Sequence, residues 1–318
     1  MRAIVIESGQ VCVRDVPDPV PAAGEVLVRV KLAGVCGTDL ELLNGYGDFS
    51  GIPGHEFVGI VGKGPAALKG RRVVGEINCV CGRCDMCARG LANHCLRRSV
   101  VGIVGRAGVF AEYVAIPERN CHVVPDAVPD EGAVFTEPLA AAYQILRQIK
   151  PERRHHVAVL GTGRLGLLVA QVLARTGCEL LAIGRNPRTL GLLDRKRIRT
   201  TTVGELRNFN DHDVVIDCTG SAEGISVAMR LVRPRGTIVL KTTCATAAPV
   251  DLSPLVVNEV TLLGSRCGPF GEALNALARR EIDVASLVTR RLPLSSGAEA
   301  FELAARPEQI KVLLKVGE

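Results

Sequence analysis

Four cysteines, Cys81, Cys84, Cys87 and Cys95, stand at the spacing C-x2-C-x2-C-x7-C, with Gly82 and Gly90 supplying tight turns among them. Thiolates this close in sequence can be wrapped by one loop around a tetrahedral Zn²⁺, and four sulfurs leave no position for water. A metal bound there would hold structure and do no chemistry. The loop is polar and carries Gly and Arg, which argues against four reduced cysteines packed in a core. Cys79 lies just outside the spacing and is given no role.

A second donor set is dispersed. Gly34-Val35-Cys36-Gly37-Thr38-Asp39 and Gly54-His55-Glu56 offer a thiolate, an imidazole and carboxylates from two loops, and Thr136-Glu137-Pro138 adds a carboxylate where the chain changes character. A lone cysteine or histidine is more often structural. Together they match what a catalytic zinc needs, three protein ligands and one position for an exchangeable oxygen.

A third group binds rather than reacts. Gly161-Thr162-Gly163-Arg164-Leu165-Gly166 follows the apolar run Val157-Ala158-Val159-Leu160 and opens a helical pattern. In that context the glycines permit a tight turn, close approach of a pyrophosphate and helix packing, and the helix N-terminus presents amides to the diphosphate. An NAD enzyme has an acidic residue at the end of the next strand to bind the adenosine ribose. This chain has Gly184-Arg185-Asn186 there. Without the carboxylate nothing repels a 2′-phosphate, and Arg185 supplies a charged planar fork for one, so NADP(H) is favoured over NAD(H).

The elements that must position these residues fall into two styles. Up to about Val124, short alternating runs (Val26–Val30, Gly59–Val61, Arg72–Val74, Phe110–Val114) are broken by Gly and Pro, which predicts an all-β, barrel-like domain. After Pro125 the pattern is α/β: helices at Glu131–Phe135, Leu139–Gln148 and Leu165–Arg175 alternate with strands at Val157–Leu160, Leu180–Ile183, Asp213–Asp217, Thr237–Lys241 and Thr261–Leu263. That alternation predicts a parallel sheet with crossovers. The last segment is mixed, with helices at Gly271–Arg280 and Ser296–Ala305 and a strand at Lys311–Val316.

Composition sets the outer bounds. The 318 residues, 47% hydrophobic, can fill more than one core. A net charge of +6 is spread along the chain, and its densest cluster, Arg195 to Arg199, reads as a solvated helix end; no nucleic-acid partner is expected. No run of about eighteen apolar residues or signal-peptide pattern is present, so the expectation is a cytoplasmic protein without a membrane partner. Aromatics at 3% argue against a stacking platform for bases or sugars.

In this order of motifs, and over essentially its whole length, the sequence resembles the zinc alcohol dehydrogenase type of the medium-chain dehydrogenase/reductase family. The resemblance implies a GroES-like catalytic domain over residues 1–138 and 265–318, interrupted by a Rossmann domain over 139–264. It implies Cys36 and His55 as zinc ligands and puts Glu137 where alcohol dehydrogenases proper have a second cysteine, as in the polyol, threonine and glucose dehydrogenase branches. Either Glu56 or Glu137 would bind the metal directly while the other holds water, or the two would exchange. Asp39 would orient the ligand histidine. Thr38 would relay the substrate proton, unless it is a helix N-cap. Glu41 stands where many members have a relay histidine. Thr219 and Gly220 would form the turn beside the adenosine. Lys311 would reach the pyrophosphate, or else snorkel at the surface.

The activity implied is hydride transfer between NAD(P) and a small alcohol or polyol, with two zinc ions per chain in a homodimer or homotetramer. Two rivals remain at this stage: a zinc-free quinone or enoyl reductase on the same fold, and a nucleotide-binding protein without turnover.

Overall fold

The computed structural model describes residues 1–207, 209–244 and 249–317. The chain forms two compact units: Met1–Glu137 with Phe270–Glu318, and Pro138–Pro269. The chain re-enters the first unit at Phe270 rather than at residue 265.

The first unit is built on a sheet with the spatial order Val288–Pro293, Lys311–Lys315, Glu25–Gly34, Glu56–Lys63, Arg72–Gly75, Cys121–Val123, and Tyr113–Pro117 pairs the long strand Glu25–Gly34 as well. That strand holds the sheet together because its alternate residues Val26, Val28 and Val30 are fully buried. Its last residue is the one that matters for chemistry. Gly34 is paired with Glu56 on one side and with Leu313 on the other. Antiparallel register therefore carries Glu56 and the start of the strand Lys311–Lys315 to the place where the chain turns into Cys36.

The second unit is a six-stranded parallel sheet. In space its strands run Arg199–Thr202, Glu179–Gly184, His156–Leu160, His212–Asp217, Val232–Leu240, Thr261–Gly264, that is third, second, first, fourth, fifth, sixth in chain order. This doubly wound order binds ligands at the carboxyl ends of the strands, where the winding reverses between the first and fourth. Val157 to Leu160 form an unbroken apolar run because helices cover both faces of the sheet; all four are buried. Helix Arg164–Ala174 buries every residue from Gly166 to Leu173.

Differences from the predicted elements are concentrated at polar edges. Strands Gln10–Asp15, Arg199–Thr202 and Val288–Pro293 escape prediction because each lacks a clean apolar alternation and has no buried residue. Phe110 and Ala111 lie before the strand that begins at Tyr113, although both are fully buried. Among the described residues no helix is long and apolar enough to cross a membrane.

Candidate metal centres and dinucleotide site

In the loop from Cys81 to Cys95 the sulfurs converge. Sγ–Sγ separations are 3.5 Å for Cys84–Cys87, 3.7 Å for Cys84–Cys95 and 3.6 Å for Cys81–Cys95. A tetrahedron of sulfurs at about 2.3 Å from Zn²⁺ has edges of about 3.8 Å, so the donors already stand at nearly the spacing that the ion requires. None of the twelve cysteines is in a disulfide. Amides point at the sulfurs: Cys95 Sγ accepts from the N–H groups of Cys81 at 3.3 Å and Arg97 at 3.4 Å. The backbone N–H of Arg83 leads the influences that bring the Cys81 thiol down to about 6, whereas desolvation and then the neighbouring sulfurs push Cys87 up to about 11. A divalent ion placed among the four sulfurs would favour their thiolate forms together.

The second centre is assembled from strand ends. Ligand-capable atoms of Cys36, His55 and Glu56 all lie within 4.8 Å of one another. Cys36 is the N-cap of helix Gly37–Leu43. His55 precedes the strand that begins at Glu56, and Gly54 before it has φ +97°; a Cβ there would also lie 2.4 Å from the Phe110 ring. Only glycine fits both demands.

Asp39, fully buried, joins the two loops. Its carboxylate accepts from the Cys36 N–H at 2.8 Å and from the Gly54 N–H at 3.2 Å, and its Oδ1 stands 3.4 Å from His55 Nδ1. Burial alone would lower the His55 pKa, but Asp39 and then Cys36 outweigh it, and the imidazole stands well above the ordinary 6.5.

Several expected placements change. Thr38 lies in the first turn of the helix that Cys36 caps, so it is not the N-cap; its hydroxyl is 3.9 Å from Cys36 Sγ. Glu137 is not one of the three clustered donors and sits in the first turn of helix Thr136–Gln148. Glu41 is half-buried on helix Gly37–Leu43. Lys311 does not snorkel: it is 2% exposed and its Nζ donates to Glu56 Oε2 and to the Val35 carbonyl at 3.4 Å, with the Phe135 ring centroid 5.5 Å away. The Glu56–Lys311 pair was missed because 255 positions separate its members. The available signal was a lysine set in the apolar run Ile310, Val312, Leu313, Leu314.

At the second unit's strand ends each glycine has its own reason. Gly161 has φ +96°, and a Cβ there would meet the Cys218 carbonyl oxygen at 2.7 Å; a Cβ on Gly166 would lie 1.8 Å from the Gly161 carbonyl oxygen. Gly163, the N-cap of helix Arg164–Ala174, has nothing within 4 Å of its would-be Cβ. Two glycines are thus required by the protein itself and the third leaves room for a ligand. Leu165 follows Arg164 in the first turn of that helix, and the Thr162 hydroxyl bonds that of Thr189 at 2.8 Å. A Cβ on Gly184 would strike Thr162 Oγ1 at 2.1 Å.

Arg185 is exposed beyond the strand end. Asn186 is the N-cap of helix Pro187–Asp194, and its side-chain oxygen accepts the Arg188 N–H at 2.9 Å. Thr219 donates its hydroxyl to Asp217 Oδ1 at 2.7 Å, and Gly220, at φ +67°, donates its N–H to the Thr242 hydroxyl at 3.1 Å.

Comparison with known proteins agrees with this arrangement. The family model of the alcohol dehydrogenase GroES-like domain matches residues 22–126, and that of the glucose dehydrogenase C-terminus matches residues 132–316. The chain is 28% identical to a sorbitol dehydrogenase of Halalkalibacterium halodurans, covering 96% of each chain, and 31% identical to a D-altritol 5-dehydrogenase of Agrobacterium fabrum, covering 93% of each. Among solved structures it resembles the alcohol dehydrogenase RspB of Escherichia coli CFT073 complexed with NADH (TM-score 0.89, 27% identity, 99% of each chain). It also resembles a putative zinc-binding dehydrogenase of Sinorhizobium meliloti bound to NADP (TM-score 0.86, 29% identity, 99% of this chain and 98% of the other). With both units matched over most of their length, the chain belongs to the zinc-type medium-chain alcohol dehydrogenase family and is an NAD(P)-linked oxidoreductase acting on CH–OH groups of small molecules.

Proposed function

We propose that the chain oxidises a polyol or related secondary alcohol, or reduces its carbonyl product, with two zinc ions per chain and a preference for NADP(H). The observation that carries this reading is the meeting of half-buried Cys36 with buried His55 and Glu56, with Asp39 behind them. A thiolate, an imidazole and a carboxylate form a three-donor set for zinc with room for a substrate oxygen, and the four thiolates of Cys81, Cys84, Cys87 and Cys95 form a closed set for a second ion. When bound, the first zinc supplies Lewis acidity toward the substrate oxygen and the nicotinamide supplies or accepts the hydride.

The chain's own residues do the rest. Asp39 fixes the loop of Cys36 to that of Gly54 and steers the His55 ring, so the donors are held before any substrate arrives. Thr38, whose hydroxyl is 3.9 Å from the Cys36 sulfur, takes the proton that the substrate hydroxyl loses. Glu41, on the same helix, continues the path outward in place of an imidazole. Glu137 binds substrate or water near the site rather than joining the clustered donors. Amides at the start of helix Arg164–Ala174, reached over Gly163, hold the pyrophosphate, with Gly161 and Gly166 shaping the turn and Thr219 and Gly220 beside the adenosine.

NADP(H) preference rests on Arg185, exposed at the strand end with no carboxylate at positions 184 to 186. Polyol specificity rests on the activities named for the sorbitol and altritol relatives. Self-association into a homodimer or homotetramer is supported by the edge strand Thr261–Gly264, where Leu262 and the neighbouring Val256 and Val257 are exposed.

The test is a cofactor-reduction screen over polyols, aldoses and secondary alcohols with NADP⁺ and NAD⁺ in parallel. NADP⁺ should support the higher kcat/KM, and Arg185→Ser should lower the NADP⁺ value by about tenfold to thirtyfold while leaving the NAD⁺ value nearly unchanged. A parent enzyme that prefers NAD⁺ would remove the role given to Arg185. Turnover of quinones or enoyl compounds without any alcohol oxidation would overturn the polyol reading.

A further inference from the structure

Glu56 is 1% exposed and Lys311 is 2% exposed, and their two charges meet inside the first unit. The two carboxylate oxygens of Glu56 differ in their surroundings. Oε2 is taken by the Lys311 ammonium; Oε1 is buried without a hydrogen-bond partner among the described residues. A buried carboxylate oxygen left unpaired is costly unless a cation completes it, and a carboxylate oxygen of Glu56 lies within 4.8 Å of ligand atoms of Cys36 and His55.

The surrounding fold is shaped around the pair. A Cβ on Gly34 would lie 2.7 Å from Glu56 Oε2, 2.8 Å from Val134 Cγ1 and 3.3 Å from Lys311 Cδ, so any other residue at position 34 would push the pair apart. The Val35 carbonyl and the Phe135 ring complete the seat of the ammonium.

We propose that Lys311 is a positioning residue that occupies one oxygen of Glu56 and thereby presents Glu56 to the metal as a one-oxygen ligand. This rests on the metal site of the proposed function and adds a control that the donor list does not contain. A carboxylate with both oxygens free can grip a metal through two of them and raise its coordination number. Held by Lys311, Glu56 has one oxygen to give, and the site keeps a position for the substrate oxygen.

The experiment uses the full-length protein with Co²⁺ as the probe, exchanged for the native metal by dialysis. The visible d–d bands of four-coordinate Co²⁺ are severalfold stronger than those of five-coordinate Co²⁺, so they read the ligand count without turnover. The Cys36→Ser variant supplies the background of the four-cysteine lobe for subtraction. Lys311→Met is expected to weaken the remaining bands by about threefold as the second oxygen enters, and Lys311→Arg is expected to restore them. Unchanged bands in Lys311→Met would overturn the proposal.

Should Lys311→Met fail to fold, Glu56→Gln decides. Loss of the carboxylate should speed metal loss to a chelator by about tenfold or more with Lys311 intact, and unchanged bands and release rate would remove Glu56 from the ligand set and the proposal with it. A parent protein that shows no Co²⁺ signal above the Cys36→Ser background refutes the metal site itself, which separates failure of the underlying reading from failure of the role given to Lys311.

Discussion

The two candidate metal centres differ in how they are made. The four-cysteine lobe draws every donor from the fifteen positions between Cys81 and Cys95, with sulfur separations of 3.5 to 3.7 Å. The Cys36–His55–Glu56 centre draws its donors and their supports from two loops and three strands, the farthest support being Lys311. A contiguous loop can close completely around an ion and be stable on local terms. A centre pieced together from strand ends depends on the sheet for its geometry, which is what lets it stay rigid while one position exchanges. Damage to the first should therefore cost fold, and damage to the second should cost chemistry.

The largest effect expected from breaking this contrast is in turnover. Cys36→Ser should lower kcat by about a thousandfold or more while the denaturant midpoint moves little, since the residue is a partly exposed helix N-cap that serine can also occupy. The mirror variant, Cys84→Ser, removes a buried donor of the closed lobe. Its unfolding free energy should fall by roughly 3 kcal/mol or more, read from urea melts, with KM for substrate nearly unchanged in the protein that remains folded. Equal losses of kcat and stability in both variants would erase the distinction.

A smaller effect separates fold from function in the glycine turn. Gly166→Ala should destabilise by about 1–3 kcal/mol because its Cβ has backbone 1.8 Å away and must displace it. Gly163→Ala meets no protein atom within 4 Å and should melt like the parent, yet weaken dinucleotide binding by tenfold or more in a fluorescence titration. Parent-like dinucleotide affinity in Gly163→Ala would place the ligand elsewhere.

The smallest expected effect concerns Asp130, which belongs to neither cluster of candidate metal donors. Burial alone would raise its carboxyl, but hydrogen bonds from Lys31 and Arg72 prevail and hold it below the ordinary 3.8. Its folded value is therefore depressed. The stability it contributes is present above the unfolded value, near 3.9, and is lost as pH falls through the lower folded value. Solvent screening keeps this contribution to about 1 kcal/mol or less. Urea midpoints of Asp130→Asn should accordingly show a shallower decline below pH 4 than those of the parent, and parallel acid limbs would remove the role of the two ion pairs.

What could be read from the sequence follows the same division. The lobe was legible because its donors are neighbours in the chain, and the dinucleotide turn because Gly161, Gly163 and Gly166 follow an apolar strand and open a helix. Strand Val157–Leu160 declared itself by being apolar throughout, as a strand covered on both faces must be. The edge strand Arg199–Thr202 did not, since half-exposed threonines behind a basic cluster carry no alternation. At the reactive centre Cys36, His55 and Asp39 could be named, but the partner of Glu56 could not. That partner depends on strand register, which pairs Gly34 with Glu56 and with Leu313 and so delivers Lys311 to the carboxylate. Likewise Thr38 looked like a cap because the helix start was read two residues late.

Metal content tests the central claim most directly. The purified parent should contain two zinc ions per chain by elemental analysis, and Cys36→Ser should contain one, retained through dialysis against a mild chelator because the remaining ion sits in the closed lobe. One zinc in the parent with the same single zinc in Cys36→Ser would contradict the account of the reactive centre.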